Sequence, residues 1–151
     1  MAKLDCHSHV LEGGLADVEE MDRSQRQDCG YEATNFLSVE AMDDAAQNAL
    51  AIYFKLLDRR NYAFGGLHHR FSYDFGEETR RLWDLGLDGI KMIENKPTER
   101  RRLGIPQNDP KFDSLYAAAA ELNIPMLLHV NDPAENWDWD SCPEWSKNAG
   151  F

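Results

Sequence analysis

Short apolar runs alternate along this chain with segments whose apolar side chains recur at helical spacing. Each run and the segment after it occupy roughly 30 residues, the size of a strand and helix unit. The apolar runs that predict strands are 33–38, 62–67, 88–93 and 124–130, and a fifth strand is predicted at 3–10, where apolar and polar residues alternate. Apolar strands separated by amphipathic helices indicate a parallel sheet that is covered by helices.

Helices are predicted between the later strands, because residues that favour helix ends bound these segments. The segments are 43–59, 77–85 and 109–122, and the end signals are Asp43 and Asp44, Gly86, the Asp109-Pro110 pair and Asn123. The apolar side of the first helix is expected to hold Ala46, Ala49, Leu50, Tyr53, Leu56 and Leu57. Residues 12–30 are polar and rich in glycine and aspartate, and they are predicted to form a loop.

Composition limits the class of protein and its partners. The chain has 151 residues, the length of one domain, and a hydrophobic fraction of 42%, which allows a core. The formal net charge of -11 argues against nucleic acid or an anionic membrane as a partner. No apolar run approaches the ~20 residues that span a bilayer, and no secretory signal precedes the first strand. Three scattered cysteines indicate neither a zinc ribbon nor a disulfide framework, so a cytoplasmic location is expected.

All histidines follow or end predicted strands, and the sharpest motif is Asp5-x-His7-x-His9 in the first. Residues two apart on a strand project to the same side. His7 and His9 can therefore point at one ion, with Asp5 one step deeper to orient or to ligate. The alternative is a strand whose polar face meets water, and Lys3 on the same face favours that alternative.

His129 ends the last predicted strand, which should be buried. A buried imidazole needs a partner, because leaving it unpaired is costly. That partner could be a backbone carbonyl, as in an ordinary core histidine. Together with His7 and His9, His129 instead makes a plausible catalytic metal set with an open position for water.

Other candidates depend less on pattern. His68 and His69 are adjacent, so at most one should enter a site, and either could be a surface or supporting residue. Lys91 is expected to face the barrel interior. There it could bridge two metals as a modified or neutral lysine, bind a substrate carboxylate, or form an ordinary ion pair.

The remaining candidates follow the fourth and fifth strands. Glu94 and Asp132 could supply polar contacts, and Trp137 could wall a pocket or cover apolar surface under a loop. Cys6 is predicted to lie opposite the ligands, packed rather than reactive.

Four segments together resemble the amidohydrolase superfamily, and most closely its amidohydrolase-related branch. They are LDCHSH at 4–9, YAFGGLHH at 62–69, GIKMI at 89–93 and IPMLLH at 124–129. In order, these look like strands 1, 3, 4 and 5 of that family's (β/α)8 barrel. The predicted fold class is therefore an incomplete TIM-type barrel of about five parallel strands.

The resemblance implies a metal-dependent hydrolase, often with zinc, that acts on a small molecule. His7, His9 and His129 would be ligands of one divalent ion that activates water. Some relatives instead perform non-oxidative decarboxylation and use the ion to hold a carboxylate.

The chain departs from the family pattern after His129. The family also uses a histidine after strand 6 and an aspartate after strand 8, and neither is present. A (β/α)8 barrel needs about 250 residues, so the chain is expected to be an N-terminal portion forming one truncated domain. No catalytic base is assigned, and activity alone should be weak or absent. An open last strand favours a homo-oligomer or pairing with a missing C-terminal half.

Two other classes compete with this interpretation. A phosphoesterase of the polymerase-and-histidinol-phosphatase type also opens with an HxH strand, but it needs more ligands than five histidines on three strands supply. A non-catalytic scaffold, in which the histidines are relics, is the other alternative.

Overall fold

A computed structural model describes residues 2–11, 13–39, 44–67, 74–93, 96, 99 and 104–130, without the side chains of residues 44 and 45. Five parallel strands with covering helices form an incomplete barrel, which confirms the predicted fold class. The strands are β1 Leu4–Ser8, β2 Ala33–Leu37, β3 Tyr62–Gly66, β4 Gly89–Met92 and β5 Met126–Leu128. The described helices are α1 Leu15–Gln27, α2 Asp44–Leu57, α3 Phe75–Asp84 and α4 Asp113–Leu122, with a short 3-10 helix at Pro110–Phe112.

The strands lie in chain order in one sheet, and each neighbouring pair is parallel. Parallel neighbours need crossover connections, and at least one described helix lies in each connection. The core lies between the helices and the sheet, where Phe36 and Phe54 have ring centroids 5.5 Å apart and Leu82 and Ile90 are buried. The other, concave side of the sheet is called the inner face below.

The prediction of a loop at 12–30 is wrong, because Leu15–Gln27 forms α1. Val18 is its one fully buried residue and Met21 packs partly buried against the core, so the apolar pattern is confined to the first two turns. Local polar contacts stabilise it instead. Asp17 accepts the Gly14 N–H at 2.7 Å, and Arg26 pairs with an aspartate one turn earlier. A search for apolar spacing could not find a helix of this kind.

The helix predicted at 43–59 is confirmed as α2, but its predicted apolar side is partly wrong. Ala46 and Ala49 are exposed, and Leu56 is 77% exposed. The residues buried along α2 are Gln47, Asn48, Leu50, Ala51 and Phe54. The helix is rotated so that two amides face the strand ends, where the backbone needs polar partners.

The predicted helix ends are largely confirmed. Gly86 after α3 has φ +95° and Asn123 after α4 has φ +54°, both in the left-handed region that ends helices. Asp109 caps the 3-10 helix that leads into α4. The third helix begins at Phe75 rather than at 77, because Asp74 is its N-cap and accepts a backbone N–H at 2.9 Å.

The last strand is shorter and more exposed than predicted. The pattern predicts burial of both faces over 124–130, yet β5 covers Met126–Leu128, and Leu128 is 39% exposed. Among the described residues β5 has a neighbour on one side only, so it is an edge strand and one flank stays open. Within this part of the chain, no helix combines the length and apolarity that crossing a membrane requires.

Candidate metal site at the carboxyl ends of the strands

A bulge in β1 decides where its polar side chains point. From Asp5 to Ser8 the chain advances three residues along β1, whereas the part of β2 that pairs with it advances two residues. An extra residue reverses the alternation of faces. Asp5 and Ser8 both turn toward the helices, where Gln25 donates to them at 3.1 and 3.0 Å. The predicted common face of Asp5, His7 and His9 is therefore wrong, because the two histidines lie on the inner face and the carboxylate does not.

The same bulge corrects the prediction for Cys6. This thiol is free and exposed, and with Leu4 it lines the inner face instead of packing under the helices. Cys6 therefore lies on the histidine side of the strand.

The rings of His7 and His9 meet at their reactive nitrogens. Their Nε2 atoms are 2.9 Å apart, and the rings are edge to face. His9 Nδ1 lies 2.9 Å from the carbonyl oxygen of Leu37, which can only accept, so Nδ1 carries the proton. The Nε2 of neutral His9 then presents a lone pair, to which His7 Nε2–H donates. A carbonyl that fixes the far nitrogen is the usual support of a metal-ligating imidazole.

Electrostatics keeps both rings neutral. Burial lowers the pKa of His7 and His9 below the ordinary value, and the nearby charges of Lys91 and His129 lower it further. The Leu37 carbonyl raises the pKa of His9, without reversing the shift. Neutral imidazole is the charge state that binds metal, and burial favours it in both rings, while only His9 has its Nε2 unprotonated in this hydrogen bond.

Asp5 acts on the backbone of the bulge. Its carboxylate accepts the His7 N–H at 3.0 Å and the Ser8 hydroxyl at 2.6 Å, besides the amide of Gln25. Burial on its own would raise the pKa of Asp5, but these hydrogen bonds together lower it, so the group stays ionised. Asp5 therefore orients His7 through the main chain, as the sequence allowed, and its bonds are directed away from the inner face.

Lys91 faces the interior, as predicted. A Cβ on Gly65 would meet Leu82 and Leu87, so Gly65 faces the helix layer. Faces alternate along a strand, so Gly66 lies on the inner face, and so does Lys91, which is paired with it. Lys91 is 2% exposed, and its Nζ has no hydrogen-bond partner among the described residues. Burial lowers the pKa of Lys91 to about 8.

His129 extends the fifth strand toward the same rim. Its N–H donates to the Met92 carbonyl at 2.8 Å, and it lies two residues beyond Leu127, the partner of Lys91. This position is on the inner face. Yet no three His, Cys, Asp or Glu side chains in the described part of the chain are grouped so that they could hold an ion. His129 as third ligand therefore stays a prediction.

Five further candidates lie outside the described residues: His68, His69, Glu94, Asp132 and Trp137.

Two amides of α2, missed by the sequence reasoning, hold strand ends at this rim. Gln47 donates to the Val10 carbonyl at 3.0 Å. Asn48 donates to the Gly66 carbonyl at 2.9 Å and accepts the Gly66 N–H at 2.8 Å. Two adjacent polar residues within an otherwise apolar helix were the available signal.

An open concavity of about 540 Å³ lies on the inner face near the amino ends of the strands, away from the histidine nitrogens. Its walls are mainly apolar, and the lining residues are Leu4, Asp5, Cys6, Ala33, Asn35, Tyr62, Phe64, Asp88 and Pro125. In a closed barrel this region is filled by side chains from the remaining strands. The concavity is therefore uncovered barrel interior, distinct from the rim where the histidines lie.

The His7 and His9 pair fits a divalent ion. Two neutral imidazoles converge through Nε2, and a carbonyl fixes the tautomer of one of them. Imidazole donors suit zinc and other transition metals better than magnesium, which prefers oxygen ligands. A complete site would need at least one further protein ligand.

The fold places this chain in the class of incomplete α/β barrels. No family model and no curated protein matches the sequence. Among solved structures, it is similar to 4-oxalomesaconate hydratase LigJ from Rhodopseudomonas palustris, with a TM-score of 0.60 and 17% sequence identity. The match covers 85% of this chain and 52% of that chain, so the chain spans about half of the hydratase. An enolase from Bradyrhizobium complexed with magnesium and mandelic acid aligns with a TM-score of 0.49 and 23% identity, over 90% of this chain and 32% of that chain.

Proposed function

We propose that this chain provides the metal-binding strands of an amidohydrolase-related enzyme that uses activated water. His7 and His9 bind one divalent ion, most favourably zinc, and His129 is the third ligand. The substrate is a small molecule with a carbonyl, amide or carboxylate group. The observation that carries the proposal is the 2.9 Å approach of the two Nε2 atoms, with one tautomer fixed by a carbonyl.

The chemistry divides between the ion and the chain. An ion held by His7 and His9, with His129 as third ligand, would supply Lewis acidity, which makes water more acidic and polarises a carbonyl oxygen. His9 presents its Nε2 lone pair because Leu37 holds the opposite proton. Asp5 fixes the direction of His7 through its backbone N–H. The structural relative is named a hydratase, a class that adds water to its substrate, which supports water as the reagent.

Non-oxidative decarboxylation is the second candidate, and Lys91 favours it. A buried amine without a partner among the described residues is suited to holding a carboxylate beside the ion. The two reactions would share the histidines and differ in what Lys91 positions.

We also propose that the uncovered sheet is completed by another polypeptide, either a second copy or a C-terminal half. Among the described residues β1 and β5 each have one neighbouring strand, and Leu4 and Tyr62 are exposed on the inner face. Open edges and apolar surface of this kind favour association. Light scattering after size-exclusion chromatography should give a mass above that of one chain, and a stable monomer would contradict this part.

Metal content is the decisive test. The purified chain, dialysed against zinc and then against buffer, should retain one ion per chain by elemental analysis. His7→Ala and His9→Ala should each weaken zinc binding at least about tenfold, and His129→Ala should do the same if it is the third ligand. Cys29→Ala is the matched control, because this exposed thiol lies before β2, at the opposite end of the sheet.

The outcomes separate the two interpretations. Stoichiometric zinc that depends on His7 and His9 supports the proposal. A chain that binds no zinc, or binds it equally well in all variants, is a non-catalytic scaffold in which the histidines are relics.

A further inference from the structure

Lys91 is a buried amine without a counter-charge among the described residues. It lies in the middle of β4, is 2% exposed, and its Nζ has no hydrogen-bond partner in the described part of the chain. Most buried polar groups have a partner, since an unpaired one destabilises the fold. Burial is also what lowers its pKa, and no described carboxylate offsets that shift. A group of this kind is explained if a ligand completes its bonding.

Ser38 is a second buried donor without a partner beside the same strands. It follows β2, is 1% exposed, and its Oγ also lacks a hydrogen-bond partner among the described residues. Gly66 connects the two groups. It is paired with Lys91, and a Cβ on Gly66 would lie 3.5 Å from the Ser38 Cβ.

The glycine matters because it leaves this part of the inner face without a side chain. Its own N–H and carbonyl are both bonded to Asn48, so the backbone of Gly66 does not satisfy Lys91 or Ser38. A cationic donor and a hydroxyl donor therefore flank a position where β3 presents only hydrogen. Together with the neutral imidazoles nearby, the surroundings favour an anion, although the whole chain carries a net charge of -11.

We propose that Lys91 and Ser38 form a carboxylate-binding subsite over Gly66, in which the amine and the hydroxyl each donate a hydrogen bond to a carboxylate of the substrate. The subsite deepens the proposed function and rests on it for its role in a reaction, since it names small-molecule carboxylates as the substrate class. It lies on the inner face with His7 and His9, whose pKa values Lys91 influences.

The test measures anion binding in the absence of metal, so that a bound ion cannot capture the probe. The full chain is stripped with phenanthroline, dialysed, and titrated with malonate at neutral pH. Amide resonances of Gly66 and Lys91 are followed by nuclear magnetic resonance. Saturable shifts at these amides are expected, with a dissociation constant on the order of 1 mM. Malonamide, the neutral analogue, should cause no saturable shift.

Variants assign the binding to the two side chains. Lys91→Met should weaken malonate binding at least about tenfold, since a hydrogen bond to a charged group is lost. Ser38→Ala should weaken it about fivefold, the size expected for one hydroxyl donor. Lys55→Met is the control, because Lys55 is paired with Asp88 at the amino end of β4, away from Gly66, and should not matter.

Malonate binding that is unchanged in Lys91→Met, or no saturable shift in the wild-type chain, would overturn the subsite. A carbon dioxide adduct on Lys91 in the carbon-13 spectrum would overturn it too, because that nitrogen would no longer be a cation. Failure of the subsite differs from failure of the proposed function. Zinc bound through His7 and His9 without malonate binding removes only the subsite, and malonate bound through Lys91 without any zinc binding removes only the metal enzyme.

Discussion

Asn61 lies at the amino ends of the strands and is 1% exposed. Both ends of its amide are hydrogen-bonded, since Nδ2 donates to Asp22 at 2.8 Å and Oδ1 accepts from Arg26 at 2.6 Å. At the carboxyl ends, Lys91 and Ser38 are as deeply buried and have no partner among the described residues. Groups that serve only the fold are expected to be satisfied within it. The contrast therefore favours a structural role for the Asn61 network and a ligand-binding role for Lys91 and Ser38.

Lys55 and Lys91 show the same difference between a hydrogen-bonded group and one without a described partner. Lys55 lies 2.6 Å from Asp88, and Asp88 also accepts the Ala63 N–H at 2.9 Å, so this charge belongs to a closed network. Lys91 is buried more deeply and is bonded to nothing that the structure describes. A charge kept in a site at the expense of stability points to a function there.

Removing the centre of the satisfied network should have the largest effect. Asn61→Ala removes three hydrogen bonds of a buried amide, those with Asp22, Arg26 and the Phe54 carbonyl, and we expect the free energy of unfolding to fall by about 3 kcal/mol. Urea denaturation followed by circular dichroism measures it. Asn108→Ala removes an exposed amide and should change stability by less than about 0.5 kcal/mol. Equal effects of the two variants would show that the amino-end network does not stabilise the fold.

Removing the unsatisfied amine should act in the opposite direction. The pKa of Lys91 in the folded chain is about 8, and its ordinary value is 10.5. Below pH 8 the charged amine opposes folding, so Lys91→Met should raise the free energy of unfolding by about 2 to 3 kcal/mol at pH 7.

The sign of the pH dependence is a further check on Lys91. Between pH 8 and 10.5 the unfolded chain binds more protons at this residue than the folded chain, so wild-type stability rises with pH in this window. The stability that Lys91→Met gains over the wild type should therefore decrease as pH rises through this window, as measured by urea denaturation at several pH values. A variant that is less stable than wild type at pH 7 would mean that Lys91 belongs to the structural network after all.

The Asn48 clamp should have an intermediate effect. Asn48→Ala leaves the buried N–H and carbonyl of Gly66 without their side-chain partner, and we expect a loss of about 2 kcal/mol. The Gly66 amide should also exchange with deuterium faster than in the wild type. Gln27→Ala, at the exposed end of α1, is the control and should leave both quantities unchanged. Unchanged exchange in Asn48→Ala would show that the strand end does not depend on α2.

The smallest effect is expected at the more exposed ion pairs of the amino ends. Hydrogen bonds from the Arg60 side chain and backbone lower the pKa of Asp58 below its ordinary value of 3.8, with a further contribution from Arg26. Because Asp58 is partly exposed, Asp58→Asn should cost less than about 1 kcal/mol at pH 7. The stability from a lowered carboxyl pKa is present above pH 3.8 and is lost as pH falls through the folded value. The thermal unfolding midpoints of the wild type and Asp58→Asn should therefore converge in acid. A difference in midpoint that persists there would assign the effect to packing.

The strands could be predicted because each is a local apolar or alternating segment, and the order of a parallel sheet follows from short helical crossovers. Gly65 and Gly66 lie close to Leu87 and Ser38, where a side chain on either glycine would be in contact. Helix α1 could not be predicted in this way, because its stability comes from capping and ion pairs rather than apolar spacing.

The site could be predicted in its residue types and less well in its geometry. The motif indicated that His7 and His9 converge, and their Nε2 atoms do. The face of Asp5 could not be predicted, since the bulge is set by the register between β1 and β2, which lie far apart in sequence. Ser38 gave no signal, and Asn48 gave only that of a polar residue in an apolar helix, because the role of each depends on which strand ends it meets in the folded chain.

The bulge in β1 has a consequence for the acidity of a metal centre. By turning Asp5 toward Gln25, the inserted residue separates the only carboxylate of the motif from the two imidazoles. Uncharged donors would leave the double positive charge of a divalent ion uncompensated, so an ion held by His7 and His9 would be a stronger Lewis acid than one beside an anion. A single additional residue in one strand would thereby set the acidity of the metal centre proposed for this rim.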